Sequence, residues 1–293
     1  MSARGRIPSD AAASSTTTAT ALGGIPSPRA RGEHLPAWLL VPAVVAVLLL
    51  VLPFVALLTR LDWATVPAAM TSPAALQALG LSLATATVAT VICAVLGVPL
   101  AVAMARSPAW LAAVLRTLTT LPLVLPPLVG GIALLALLGR NGLLGGVLAV
   151  AGIRIPFTTA AVVIAQAFVA LPFLVISIEG ALRAIGTEHE RVAAGLGAGR
   201  FTVFRRVTLP LAAPGLVAGT VLCFARALGE FGATALFAGN AAGVTRTMPL
   251  AIYTAFNGAG VEEDTAIALS LMLILVAVAA LVLVRGWRPG AVR

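Results

Sequence analysis

The sequence predicts an all-α polytopic membrane protein with about six transmembrane helices. Three observations carry this. Hydrophobic residues make up 60% of the chain and mean hydropathy is +1.07, well above soluble globular usage. Several apolar runs reach the roughly 20 residues that a helix needs to cross a bilayer core. The arginines gather at the ends of those runs rather than along one basic stripe, so the net charge of +9 reads as membrane orientation and not as a nucleic-acid surface.

Residues 1–36 are rich in Ser, Thr, Ala, Gly and Pro and carry Arg4, Arg6, Arg29 and Arg31, which predicts a disordered cytoplasmic tail. A signal peptide fits less well, because the following apolar run is too long for its hydrophobic region. The first span is 35–59, broken by Pro42 and Pro53, with an outer loop to 75. The second is 78–105, free of charge. The third is 117–139, with Pro122, Pro126, Pro127, Gly130 and Gly131 inside it. Such residues are tolerated at membrane depth where neighbouring helices or a cavity satisfy the freed backbone groups. Residues 141–153 are apolar but too short to cross, and are expected to be re-entrant or interfacial. The fourth, fifth and sixth spans are 155–178, 211–237 and 265–284, and 286–293 is a second cytoplasmic tail. With the N-terminus inside, the inner segments hold fourteen arginines. The outer segments hold four, namely Arg60, Arg140, Arg154 and Arg246, and Arg226 lies within a span. Both termini are therefore expected in the cytoplasm.

The longest polar interruption is 187–210, TEHERVAAGLGAGRFTVFRRVTLP, placed in the cytoplasm by the same count. Thr187 followed by Glu190 has the spacing of a capping box. A helix is expected through Val192, Ala193 and Ala194, with a glycine stop at Gly195 and Gly197. A second helix, with Phe201, Phe204 and Val207 on one side, is expected to end at Pro210 after Leu209. An ordinary helix–turn–helix connector would show the same features. The stretch also resembles the "EAA" loop of permease subunits of binding-protein-dependent ABC importers. That pattern is Glu-Ala-Ala, three residues, Gly, nine residues, then Ile-x-Leu-Pro. Here Gly197 is followed after nine residues by Val207-Thr208-Leu209-Pro210. Arg191-Val192-Ala193 stands at the Glu-Ala-Ala positions and the nearest acid, Glu190, is one residue early. The resemblance implies that this loop is a coupling helix between helices 4 and 5 that docks on an ATPase subunit. It assigns Glu190, Ala193, Ala194, Gly197, Leu209 and Pro210 to coupling.

In the fifth span, Arg226 and Glu230 lie four residues apart and would share a helix face. Each unpaired charge at membrane depth costs roughly 2.5–3.5 kcal/mol. The two are therefore expected to form an intrahelical salt bridge, or to mark a translocation pathway or subunit interface. Gly229 and Gly232 beside them permit a bend or close packing. FARALGEFGATALFAGN at 224–240 is similar to the fifth-helix signature of molybdate, tungstate and sulfate permeases. Residues 121–145, 157–173 and 245–253 resemble other parts of that group, with GRNGLLG and TRTMPLAIY closer to the molybdate branch. The resemblance covers about 76–285, the expected importer transmembrane domain. It implies an oxyanion importer of the bacterial plasma membrane, most simply for molybdate, with tungstate or sulfate as alternatives. It also implies two copies of this chain, two ATPase subunits and an extracytoplasmic binding protein. The chain has no lysine, so it cannot hold an ordinary Walker A loop, and ATP and magnesium would bind the partner ATPase.

A secondary transporter is the rival of another class, but no internal repeat is evident. A membrane enzyme is disfavoured. His34 and His189 both lie outside the spans, Glu262, Glu263 and Asp264 form an outer acidic cluster, and no catalytic constellation or metal site can be built from them. Cys93 and Cys223 lie in apolar runs without disulfide or metal spacing.

Overall fold

Prolines and small residues decide where the helices of this chain start, bend and pack. A computed structural model describes residues 37–258 and 263–285, and its described residues form helices and no strand. The expected tails, 1–36 and 286–293, and Glu262 lie outside the described residues. The chain divides into two units, Met1–Phe54 and Val55–Arg293.

The described part of the first unit is helix α1 (Ala37–Thr59), whose last turn belongs to the second. It runs unbroken through Pro42 and Pro53, contrary to the interruption expected there. Each proline removes one backbone donor, and the remaining ladder keeps the helix intact. Its side chains from Trp38 to Ala56 are exposed.

In the second unit, α2 (Val66–Met70) leads to α3 (Pro73–Arg106). Ser72 accepts from the Ala75 amide at 3.3 Å and Pro73 occupies the first turn, so the start of α3 is specified locally. The buried face of α3 is mostly small: Ala75, Ala78, Ser82, Ala86, Ala89, Cys93 and Ala101. From Ala86 to Ala101 that face lets α7 (Thr159–Ile185) approach closely. Helix α10 (Leu209–Leu228) packs against both α7 and α3. A Cβ on Gly215 of α10 would stand 2.4 Å from that of Ala181, so only glycine allows this crossing. The core between the three helices holds Ala89, Cys93, Leu174, Val175, Ile178, Cys223 and Ala227. Both cysteines are free and buried, and the Cys93 thiol donates to the Ala167 carbonyl at 3.4 Å. Helix α12 (Met248–Asn257) and α13 (Glu263–Arg285) complete the unit, with Met248 and Met272 against Ala75 and Ala78.

Two expected spans are not single helices. In place of 117–139 stand α4 (Ala109–Val124) and α5 (Pro127–Leu138), bent by 113° at Leu125 and Pro126. Two consecutive prolines, Pro126 and Pro127, deprive the Pro122 and Leu123 carbonyls of helical donors, which ends α4 there. In place of 211–237, α10 stops at Leu228 and a short α11 (Gly232–Phe237) follows. Residues 141–153 hold only α6 (Gly145–Val150), which is too short to cross. Among the described residues, five helices are long and apolar enough to span, or six with the bent pair counted as one.

Near the C-terminal end of α7, Glu179 is buried and meets two arginines. It pairs with Arg116 of α4 and accepts from Arg183 Nε at 2.7 Å. Arg183 also donates to the Met104 carbonyl of α3 at 3.4 Å. Glu179 and Arg183 together thus tie α7 to α4 and α3 beside the loop that follows α7.

Candidate functional site

The 187–210 loop folds as α8 (Glu188–Gly195), a glycine turn, α9 (Arg200–Val203) and a π-helical turn (Phe204–Thr208) that runs into α10. The expected capping box does not form: the Thr187 side chain makes no cap hydrogen bond. Glu190 turns the other way. Its carboxylate pairs with Arg106 at the end of α3 and accepts from the Thr208 hydroxyl at 2.7 Å. A guanidinium and a hydroxyl together outcompete one backbone amide. The C-terminal stop follows the expected chemistry. Gly197 has φ +85°, Ala198 N–H donates to the Ala193 carbonyl at 3.1 Å, and Gly197 N–H donates to that of Ala194 at 3.0 Å. This is a Schellman closure, which needs the left-handed region at Gly197.

The second helix does not end at Pro210. It continues into α10, with Leu209 N–H donating to the Phe204 carbonyl in a wider turn and Pro210 in the first turn of α10. The proline sits where the helical ladder is already shifted, so it interrupts nothing. No residue of α8 is buried, and beside it Leu196 is 84% and Phe201 73% exposed. Between α8 and the start of the next helix lies a groove of about 570 Å³ lined by Arg106, Glu190, Ala194, Arg200, Phe204 and Thr208.

The second feature lies at the break between α10 and α11. Arg226, in the last turn of α10, pairs with Glu230 at 2.8 Å across Gly229. Glu230 is 1% exposed, and its Oε1 accepts from the Ala233 amide at 2.8 Å, so it serves both helices. The expected salt bridge therefore forms although no continuous helix joins the two residues. Gly232 lies against the start of α5: a Cβ there would stand 2.7 Å from that of Pro127. A Cβ on Gly131 would stand 3.0 Å from the Ala233 carbonyl oxygen. The two broken spans thus pack second half on second half. Arg226 lines a cavity of about 160 Å³ with Pro122, Pro126, Pro127, Phe168 and Phe173, at the bend between α4 and α5.

Residues 97–289, two thirds of the chain, match the family described as binding-protein-dependent transport system inner membrane component. The chain belongs to this family. The permease is 54% identical over 236 residues to the molybdenum transport system permease protein ModB of Mycobacterium bovis, over 80% of this chain and 88% of that one. It is 46% identical over 155 residues to the protein of the same name from Escherichia coli, covering 53% and 68%. In fold it is similar to a bacterial ABC transporter involved in alginate import, with a TM-score of 0.66 at 17% identity over 85% of this chain and 93% of that one.

The permease brings Glu190 together with Arg106 and Thr208, which sequence reasoning did not single out. Arg106 is 84 residues from Glu190 in the chain, and no local spacing pairs them. Ala193 and Ala194 sit on α8, Gly197 closes it, and Leu209 and Pro210 open α10. The Glu179 cluster was also missed. Its only signal was a carboxylate inside an extended apolar run, at the edge of the expected fourth span.

Proposed function

We propose that this permease is the membrane subunit of an ATP-driven importer of a tetrahedral oxyanion, with molybdate as its cargo. The observation that carries the coupling part is α8, a helix with no buried residue, fixed to α3 and to the π-helical turn through Glu190. A helix built so has its exposed face available to a partner and its inner face fixed to the spans. The cargo follows from the molybdenum permeases to which most of the chain is similar. The partner is an ATPase subunit that binds ATP and magnesium. This chain has no lysine for a Walker A loop and no ATPase site of its own. Two copies of the permease, two ATPases and an extracytoplasmic binding protein form the assembly, with both termini and the 187–210 loop in the cytoplasm. ATP and the loaded binding protein each favour one of two states of the pore. Arg226, its charge partly balanced by Glu230, lies on the pathway and meets the anion in transit.

The test is ATPase activity and uptake by the permease with its ATPase in lipid vesicles, with the binding protein loaded in turn with molybdate, tungstate or sulfate. Stimulation and uptake with molybdate are expected. Stimulation by sulfate alone would keep the coupling reading and replace the cargo. Failure of any ATPase subunit to co-purify would overturn the importer reading itself.

A further inference from the structure

Helix α7 has 27 residues and rises about 40 Å, so the segment before it lies a bilayer's thickness from the 187–210 loop after it. Four arginines were expected on that far side. Two are engaged: Arg60 pairs with Glu263 at 3.5 Å, and Arg246 donates to the Asn240 side chain at 2.9 Å. Arg140 and Arg154 have no ion pair or side-chain hydrogen bond among the described residues, and they line one cavity of about 650 Å³. Its other walls include Leu138, Leu148, Ile155 and Phe157. Phe157 has φ +61°, the one positive value at a non-glycine among the described residues. A bulky residue in that region is strained by on the order of 1–3 kcal/mol, and such strain gathers at binding sites. The backbone hydrogen bond from Phe157 N–H to the Phe237 carbonyl, 3.2 Å, helps to hold it there. Beside the cavity, Leu143 and Val150 are 82% and 92% exposed.

We infer that this cavity binds an anionic phospholipid, its phosphate between Arg140 and Arg154 and an acyl chain along Leu138, Leu148 and Ile155. Two guanidinium groups suit a phosphate. A small oxyanion alone would leave most of the apolar wall empty, whereas a lipid fills both parts. The exposed side chains of Leu143 and Val150 then rest in the same bilayer. The inference depends on the chain being membrane-embedded and not on its cargo.

The test uses the full permease with its ATPase subunit in nanodiscs of phosphatidylcholine, with or without phosphatidylglycerol. Phosphatidylglycerol is expected to raise the melting temperature by roughly 3–6 °C. The variant R140Q/R154Q should lose that increment while melting like the parent in phosphatidylcholine alone. An equal increment in the variant, or none in the parent, overturns the proposal. Molybdate titrated into phosphatidylcholine nanodiscs is the second arm. Stabilisation of the parent but not the variant by molybdate would make the ligand a free oxyanion. A change from dimer to monomer in the variant would instead assign the cavity to a second copy. Should the variant fail to fold, native mass spectrometry of the parent after delipidation decides. Selective retention of phosphatidylglycerol over phosphatidylcholine supports the site, and equal retention overturns it.

Discussion

Glu190 and Glu179 each serve more than one partner, and each stands where the chain passes between spans and the 187–210 loop. Glu190 is partly exposed, so its bonds to Arg106 and Thr208 contribute modestly, on the order of 1–2 kcal/mol. Replacing Glu190 with Gln keeps the size of the side chain and removes its charge. Hydrogen exchange of the α8 amides should then quicken by roughly tenfold while the spans keep their protection. Unchanged exchange would mean that Glu190 does not hold the loop. At this scale little was legible in the sequence. The Thr187–Glu190 spacing is a local rule, and the local rule lost to two groups that only the fold brings near. Gly197 is the opposite case, because its need for positive φ is met by nothing outside its own turn.

Elements obey local rules where backbone chemistry decides and depart from them where packing does. No atom lies within 4 Å of a Cβ placed on Gly197, so Gly197→Ala is strained by its φ of +85° and not by crowding. The cost is about 1–2 kcal/mol. Uptake per ATP hydrolysed should fall as α8 loses its defined end, and an unchanged ratio would exclude the glycine from coupling. Gly232→Val acts by crowding: it drives α11 away from Pro127. It should destabilise the permease by about 1–3 kcal/mol in thermal melts, and it should slow uptake more than Gly197→Ala does. The prolines that break the third span were visible in the sequence, and the bend of 113° was not. The break between α10 and α11 was left open by the sequence, because Gly229 and Gly232 permit a bend but are equally compatible with a continuous apolar helix. What ends α10 is the joint demand of Arg226, Glu230 and the amide of Ala233.

At the scale of the whole molecule, the count of spans and the place of the polar loop between two of them were legible because length and hydropathy are additive along the chain. The meeting of Arg226 with the bend of α4 and α5 was not, since it joins residues about a hundred positions apart. The role proposed for Arg226 is separable from stability. Arg226→Gln leaves Glu230 buried without a counter-charge and should cost about 3–5 kcal/mol. The double variant R226Q/E230Q should recover melting temperature but not uptake, which stays at least roughly tenfold down while the loaded binding protein still stimulates the ATPase. Full recovery of uptake in the double variant would reduce the pair to a structural brace. The second half of the loop and Arg226 also share one continuous helical rod, from Arg200 to Leu228. Its 29 residues reach about 43 Å, and Arg226 lies in the last turn at the far end. A rod of that length works as a lever. Pivoted near its middle, it would return a push of about 3 Å at its Arg200 end as a swing of similar size at Arg226, in the opposite direction.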